Sequence, residues 1–351
     1  MDKIEKITEN KEFYGGLSLH ERMLEDNTPA ISIALIENYA IESTYTFGVK
    51  SKETNELVTA NTLFQAASIS KPVFAVAVMR LMEKGIIDLE EDIHNYLTDY
   101  NYPTYDGNEH KVTLKQILSH YAGFNVHGFA GYEKGQKIPT VEQILMGSPP
   151  ANSDELKLEN KPGTKFSYSG GGFLLAQKII VDVCKKPFVD IMQELVLSPF
   201  SMTNSTFEQP LPAEKVCKIV NGYNADGVQL PDGDYIMPEL SAAGLWTTPT
   251  DLALFGIEVM KALKGNSKFI KRNTAELMIT KVCEDAPTGI SFFVNETKNG
   301  ITFGHSGFNY GYVSHMWFRP VDGTGLVVMQ NSEKTNANQV FNAFKDVYSW
   351  E

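Results

Sequence analysis

The sequence predicts an α/β fold in which one mainly antiparallel sheet is built from both ends of the chain and flanked by helices. Segments rich in β-branched and aromatic residues lie near the start and again after about residue 288, whereas helical periodicity dominates the middle. No repeats or low-complexity linkers separate these regions. We therefore expect one unit, 1–351, with an α/β subdomain formed by 1–66 and 225–351 and a mostly helical subdomain formed by 67–224.

The start of the chain predicts helices followed by a strand pair. Residues 1–26 carry apolar side chains at helical spacing, which favours one or two amphipathic helices. The segments 29–37 and 39–50 are rich in β-branched and aromatic residues on either side of Asn38, as in a β-hairpin. These strands should form the N-terminal part of the sheet.

A buried helix is expected after this hairpin. Apolar residues occupy nearly every side of the segment 73–82, which is typical of a helix surrounded by protein. Pro72 fits the first turn of a helix but not its interior, and Gly85 provides a stop. The helix should therefore begin near Ser68.

Periodicity in the remaining sequence separates a helical region from a region of strands. Six further helices are expected at 113–119, 141–146, 173–185, 188–197, 250–263 and 273–279. Four strands and a last helix are expected at 289–295, 301–304, 312–318, 325–330 and 337–350. These strands should join the N-terminal hairpin in the same sheet.

Charge and motif content argue against several classes of function. The 31 Lys and Arg residues against 43 Asp and Glu give a net charge of −12, which disfavours nucleic-acid and anionic-membrane partners. No apolar run approaches the roughly 18 residues of a membrane span. The chain has no P-loop, Rossmann glycine pattern, CxxC or HExxH, so we expect no metal and no organic cofactor. The first residues lack the profile of a signal peptide, which predicts a cytoplasmic protein unless a signal has been removed.

The strongest chemical signal is the pair Ser68 and Lys71, the only S-x-x-K spacing in the chain. The same spacing occurs wherever a serine caps a helix that has an exposed lysine in its first turn. Here the helix behind the pair is apolar, so the lysine should be desolvated and able to take or relay the serine proton. The backbone N–H of Ser68 could also help to hold an oxyanion.

Three motifs in order make the sequence resemble the serine β-lactamase and DD-peptidase (penicillin-binding protein) superfamily. The resemblance is closest to class C β-lactamase-like serine hydrolases and esterases. The family order S-x-x-K, Y-x-N and K-T-G or H-x-G is matched by Ser68–Lys71, Tyr168-Ser169-Gly170 and His305-Ser306-Gly307. The segments 112–124, 162–173 and 242–255 are also similar to family sequences, so the resemblance spans about residues 30–350. It implies a β-lactamase/transpeptidase-like fold.

The resemblance implies a role for each matching residue. Ser68 would be the nucleophile, and Lys71 would hold and activate its hydroxyl. Tyr168 would be the general base, its phenol shifted toward phenolate by Lys71. His305 would line the pocket edge and supply a hydrogen bond or positive charge. The backbone N–H of Phe308, just past Gly307, would be the second oxyanion donor.

Two motif positions depart from the commonest pattern, and both are expected beside the substrate. Gly170 replaces an asparagine whose amide would contact the substrate, and glycine cannot make that contact. His305 replaces a lysine, and a neutral imidazole attracts a substrate carboxylate less strongly. Esters and amides without that carboxylate therefore become more plausible than β-lactams.

The resulting expectation is a serine hydrolase that transfers an acyl group to water through a covalent Ser68 intermediate. Its substrate would be a small-molecule ester, amide or β-lactam. Two alternatives stay open: a true β-lactamase or D-amino-acid peptidase, and a penicillin-binding module or sensor that deacylates very slowly. His120 and His127 lack an evident third metal ligand, which favours a structural role for that segment. The sequence gives no signal for the oligomeric state.

Overall fold

Strands from both ends of the chain form the main sheet of this computed structural model, which describes residues 2–102 and 104–350. The strands are β1 (Ala30–Glu37), β2 (Ala40–Gly48), β3 (Phe64–Gln65), β4 (Trp246–Thr247), β5 (Phe293–Thr297), β6 (Gly300–Asn309), β7 (Tyr312–Arg319) and β8 (Thr324–Gln330). Six of them form an antiparallel sheet in the order β2-β1-β8-β7-β6-β5, and β3 pairs with β4. The predicted sheet from both termini is confirmed.

Helices cover the sheet and fill the middle of the chain. They are α1 (Lys3–Thr8), α2 (Leu19–Glu25), α3 (Ser70–Glu83), α4 (Leu114–Leu118), α5 (Val141–Leu145), α6 (Gly170–Cys184), α7 (Phe188–Met192), α8 (Ala213–Val216), α9 (Leu240–Ala243), α10 (Pro249–Leu263), α11 (Arg272–Ile279) and α12 (Asn336–Val347). None of the helices in the described ranges is long and apolar enough to cross a membrane. The boundaries proposed above for the two subdomains stay predictions.

β1 joins the two ends of the chain because it pairs with β2 on one side and with β8 on the other. Its alternate side chains enter two separate apolar clusters. Ile33 packs in the cluster that contains α12, whereas Ala34 packs in the larger cluster that contains α3 and α10. The sheet is therefore covered on both faces, which explains why β1 is apolar at nearly every position.

Several predicted boundaries were wrong, and three of them matter for the candidate site. α6 begins at Gly170 and not at 173, because the side chain of Ser169 accepts from the N–H of Gly172 and caps the helix. β5 begins at Phe293 and not at 289. β6 extends to Asn309 and not to 304, because β7 supplies pairing partners along this whole stretch.

The extension of β6 creates an open sheet edge. β5 pairs with β6 only from Gly300 to Gly304, so residues 305–309 pair with β7 alone. The motif His305-Ser306-Gly307 therefore lies in the middle of a strand whose outer edge can accept another chain.

A short segment around α9 connects this edge to the start of α3. The carbonyl of Ala243 accepts from the Asn309 side chain of β6 at 3.2 Å, and the carbonyl of Leu245 accepts from the N–H of Ala66 at 2.9 Å. Glu239 precedes the segment and is fully buried, with no hydrogen-bond partner for either carboxyl oxygen among the described residues. Burial raises the pKa of Glu239 to about 8, so the side chain is mainly a neutral acid at pH 7.

The Glu239→Gln variant should be more stable than the wild type by an amount that grows with pH. A raised folded-state pKa contributes stability that is complete below the unfolded value of 4.5 and is lost as the pH rises to about 8. Within this window, the difference in unfolding free energy should grow by about 1.4 kcal/mol per pH unit. Thermal unfolding at pH 5 and pH 8 measures it, and a constant difference in melting temperature would contradict the buried neutral acid.

Candidate active site

Ser68 lies on a single 3₁₀ turn, Ala67–Ile69, immediately before α3. Ala67 has a positive φ of 50°, a left-handed conformation that a non-glycine residue adopts only when its surroundings impose it. Ser70 fixes the turn, because its hydroxyl donates to the Ala67 carbonyl at 2.6 Å and accepts from the N–H of Leu245 at 3.0 Å. The predicted helix start near Ser68 is therefore correct, although the regular α-helix begins two residues later.

Lys71 is buried directly behind the Ser68 hydroxyl. Its Nζ lies 3.0 Å from Ser68 Oγ and donates to the carbonyl of Ala242 at 2.8 Å. No carboxylate forms an ion pair with it among the described residues, and its side chain is almost inaccessible to solvent. Burial lowers the pKa of Lys71 to about 7. A substantial fraction of this amine can therefore be neutral near pH 7 and able to accept a proton.

Tyr168 completes a cluster of three polar groups. The Nζ of Lys71 lies 5.0 Å from the centre of its ring, and the Ser68 side chain is close enough to its hydroxyl to lower the pKa of the phenol. Burial raises the pKa of the Tyr168 phenol, and the nearby Ser68 side chain offsets only part of this effect. The expected shift toward phenolate was wrong, because desolvation of this buried ring outweighs nearby polar groups.

Two histidines hold the Tyr168 ring. The His120 ring stacks on it with centres 4.1 Å apart, and the His127 ring lies 4.8 Å away. The Nδ1 of His120 accepts from the N–H of Ser169 at 3.1 Å, which ties the ring to the start of α6. The sequence predicts a structural role for this segment but does not predict the contact with Tyr168. The similarity of the segment 112–124 to family sequences was the signal that could have indicated it.

His305 lies on β6 behind the three-residue cluster. Its Nδ1 donates to the Ser306 carbonyl at 2.5 Å, and its Nε2 has no partner among the described residues. Burial, with a smaller effect from the charge of Lys71, lowers the pKa of His305 to about 3. The side chain is therefore neutral at pH 7, as the sequence suggested, and cannot supply a positive charge.

Gly307 allows β6 to approach the turn that carries Ser68. A Cβ at this position would lie 2.2 Å from the Ala66 carbonyl oxygen and 3.1 Å from the Cβ of Ala67. Phe308 follows on the open edge and is 57% exposed. The structure thus brings the backbone of Gly307 and Phe308 beside the predicted nucleophile.

A cavity of about 760 Å³ opens over this cluster. Exposed or half-buried aromatic residues, Phe129, Phe308 and Tyr310, form part of its wall. The residues that line it are Ser68, Lys71, His127–Ala130, Tyr168, Ala242, Ala243, Ser306–Tyr310, Val313, His315, Glu333–Thr335 and Asn338. The predicted residues Ser68, Lys71, Tyr168, Gly307 and Phe308 therefore share one cavity.

Gly170 and His305 do not line this cavity, contrary to the expectation that both lie beside the substrate. Gly170 is buried at the start of α6, where its N–H donates to the His127 carbonyl at 3.1 Å. A Cβ there would lie 3.0 Å from the Phe129 ring, so the glycine lets the 127–129 loop pack closely. In the residues that the structure describes, no group of three or more His, Cys, Asp or Glu could hold a metal ion.

Comparisons with known proteins identify the fold and the family of this chain. The chain is 22% identical over 316 residues to Protein flp of Staphylococcus aureus (strain N315), which covers 86% of this chain and 59% of the relative. The chain therefore spans less than two thirds of that relative's length. A penicillin-binding protein homologue from Pyrococcus abyssi, described as octameric, has a TM-score of 0.76 at 22% identity, covering 100% of this chain and 77% of the other.

A D-amino acid amidase from Ochrobactrum anthropi SV3 has a TM-score of 0.77 at 18% identity, covering 97% of this chain and 98% of the other. These two structures share the fold with this chain. The family model described as Beta-lactamase matches residues 18–347, which include all three motifs. With nearly the whole sequence matched, from α2 to the end of α12, the chain belongs to the Beta-lactamase family.

Proposed function

We propose that the protein is a serine hydrolase that transfers an acyl group from an ester or amide to water through Ser68. The observation that carries this proposal is the 3.0 Å contact between the Ser68 hydroxyl and the buried amine of Lys71. A serine becomes nucleophilic when a neighbouring base can take its proton, and a desolvated lysine can be such a base near pH 7.

In the acylation step, the Ser68 oxygen attacks the substrate carbonyl carbon and its proton passes to the neutral amine of Lys71. The backbone N–H groups of Ser68 and Phe308 stabilise the oxyanion. The Tyr168 hydroxyl gives its proton to the leaving alcohol or amine and regains one from the Lys71 ammonium. The bond to the leaving group then breaks and the acyl group stays on Ser68.

Deacylation uses the same groups in the opposite direction. A water molecule attacks the Ser68 ester and passes its proton through Tyr168 to Lys71. The tetrahedral intermediate then collapses, and the Ser68 oxygen takes back a proton as the acid leaves. Tyr168 acts as a proton relay in both steps and not as the base itself, because a phenol with a raised pKa is rarely ionised at neutral pH.

We expect substrates that carry an apolar acyl group and no strong negative charge beside the reacting carbonyl. The cavity wall offers the aromatic faces of Phe129, Phe308 and Tyr310 to an apolar acyl group. His305, which matches the lysine of the K-T-G motif, is neutral and lies outside the cavity. The similarity to a D-amino acid amidase supports an amide as one substrate class.

The similarity to a penicillin-binding protein homologue supports a second candidate, a module that is acylated by penicillin and deacylates very slowly. Both candidates use the same Ser68 nucleophile. They differ in the lifetime of the acyl-enzyme.

Ser68→Ala should abolish covalent labelling by a fluorophosphonate and lower kcat/KM for a p-nitrophenyl ester by about 10³-fold or more. Intact-mass spectrometry measures the adduct. Ser198→Ala, at an exposed serine outside the cavity, is the matched control and should label like the wild type. Labelling of the Ser68→Ala protein at another serine would overturn the proposed mechanism. With penicillin on the wild type, an adduct lasting for hours would favour the slow-deacylation candidate.

The value of kcat/KM for a neutral ester should rise with pH through a midpoint near 7, because the reaction needs the neutral amine of Lys71. Tyr168→Phe should reduce the rate by about 10²-fold and keep this midpoint. A pH–rate profile from 5 to 9 on both proteins makes the comparison. Loss of the inflection in Tyr168→Phe would assign the titrating base to Tyr168 in place of Lys71.

A further inference from the structure

A row of three hydrogen-bonded side chains lines the cavity on β6, β7 and α12, and the proposed mechanism does not use it. The hydroxyl of Ser306 lies 2.8 Å from Nδ1 of His315. Nε2 of His315 contacts the amide oxygen of Asn338. Ser306 and Asn338 are exposed in the cavity, whereas His315 is only 9% exposed.

The partners of the His315 ring determine whether the Ser306 hydroxyl donates or accepts a hydrogen bond. With the amide oxygen of Asn338 facing Nε2, the imidazole proton of His315 lies on Nε2, because an amide oxygen can only accept. Nδ1 then carries a lone pair, and the Ser306 hydroxyl donates to it. Burial lowers the pKa of His315 to about 4, so the ring stays neutral and this arrangement persists at pH 7. The oxygen of Ser306 therefore offers only lone pairs to the cavity.

The open edge of β6 indicates which part of a substrate reaches Ser306. A substrate chain lying antiparallel to residues 305–309, with its reacting carbonyl at the N–H of Phe308, pairs its acyl residue with Phe308. The next position, in the leaving group, lies opposite Gly307. The position after that lies opposite Ser306.

We propose that Ser306, held by His315 and Asn338, is an acceptor subsite that selects leaving groups with an N–H donor and disfavours a carboxylate at the same place. This inference rests on the proposed acyl transfer through Ser68 and adds a specificity for the leaving group. His315 and Asn338 are positioning residues, because they act through the Ser306 hydroxyl.

Two charged residues line the same cavity, and their influence on substrate preference must be distinguished from that of the Ser306 hydroxyl. Glu333 accepts from the N–H of Gly311 at 3.1 Å, which holds its carboxylate at the turn between β6 and β7. Lys334 carries a positive charge in the loop before α12. A subsite governed by Lys334 would attract a carboxylate, which is the opposite of the specificity inferred from Ser306.

Three esters with one acyl group test the inference. Hippuryl esters of glycolamide, methyl glycolate and glycolate place an N–H donor, a neutral acceptor or a carboxylate opposite Ser306. In each, Ser68 attacks the hippuryl carbonyl, the ester C–O bond breaks and the leaving alkoxide takes a proton. All three form the same acyl-enzyme, so differences in kcat/KM report on acylation alone.

The wild type should hydrolyse the glycolamide ester about 5-fold to 10-fold more efficiently than the methyl glycolate ester, the effect of one hydrogen bond. The glycolate ester should be the poorest. Ser306→Ala should bring the first ratio close to 1. Lys334→Gln, the matched control in the same cavity, should keep it.

Substitutions of His315 test whether this residue makes the Ser306 hydroxyl an acceptor or only supports the local structure. His315→Asn supplies an amide oxygen in place of Nδ1 and should keep the glycolamide preference. His315→Phe frees the Ser306 hydroxyl to donate, so the glycolate ester should improve relative to the glycolamide ester. A glycolamide preference that survives Ser306→Ala would overturn the inference, as would a wild-type preference for glycolate that Lys334→Gln removes.

Binding to the Ser68→Ala protein keeps the two proposals distinguishable. Calorimetry with hippuryl-glycinamide, hippuryl-glycine methyl ester and hippuryl-glycine needs no turnover. Tighter binding of the glycinamide, lost on adding Ser306→Ala, supports the subsite even where no ester is hydrolysed. Equal affinities contradict the subsite, whereas hydrolysis that survives Ser68→Ala contradicts the proposed function.

Discussion

The burial of one amine, that of Lys71, is the constraint on which the rest of the site depends. Its Nζ has only the Ser68 hydroxyl and the Ala242 carbonyl as hydrogen-bond partners within the described chain, and the apolar helix α3 lies behind it. Water is excluded on that side, so the neutral form becomes accessible near pH 7. The α9 segment that supplies the carbonyl also anchors β6, so the lysine and the sheet edge are held by the same few residues.

The second constraint is the close approach of β6 to the turn that carries Ser68. Gly307 makes the approach possible, and the late start of β5 at Phe293 leaves the edge of β6 free beyond Gly304. A substrate can therefore lie along a strand while its carbonyl is beside the nucleophile. The cavity continues to the face of the sheet that α12 covers, where Ser306 offers a hydrogen-bond acceptor. The proposed acyl transfer at Ser68 and the proposed recognition of the leaving group at Ser306 therefore take place in different parts of the same cavity.

Much of this arrangement could be predicted from local sequence. Helical and alternating patterns identified the sheet from both termini and most of the middle helices, but not α8 or α9. The spacing of Ser68 and Lys71 needs only one helical turn. The Ser306, His315 and Asn338 row could not be predicted, because its members come from three elements and meet only through the β6–β7 register and the packing of α12. The raised pKa of Tyr168 was missed for a similar reason, since burial by distant segments decides it.

The most direct test of this account is an NMR titration of Lys71 in protein with ¹³C-labelled lysine side chains. Lys71→Arg assigns the Cε signal by its disappearance. The account predicts a midpoint near pH 7, far below the ordinary lysine value of 10.5. A midpoint above about 9.5 would leave almost no neutral amine at pH 7 and would contradict Lys71 as the base that activates Ser68.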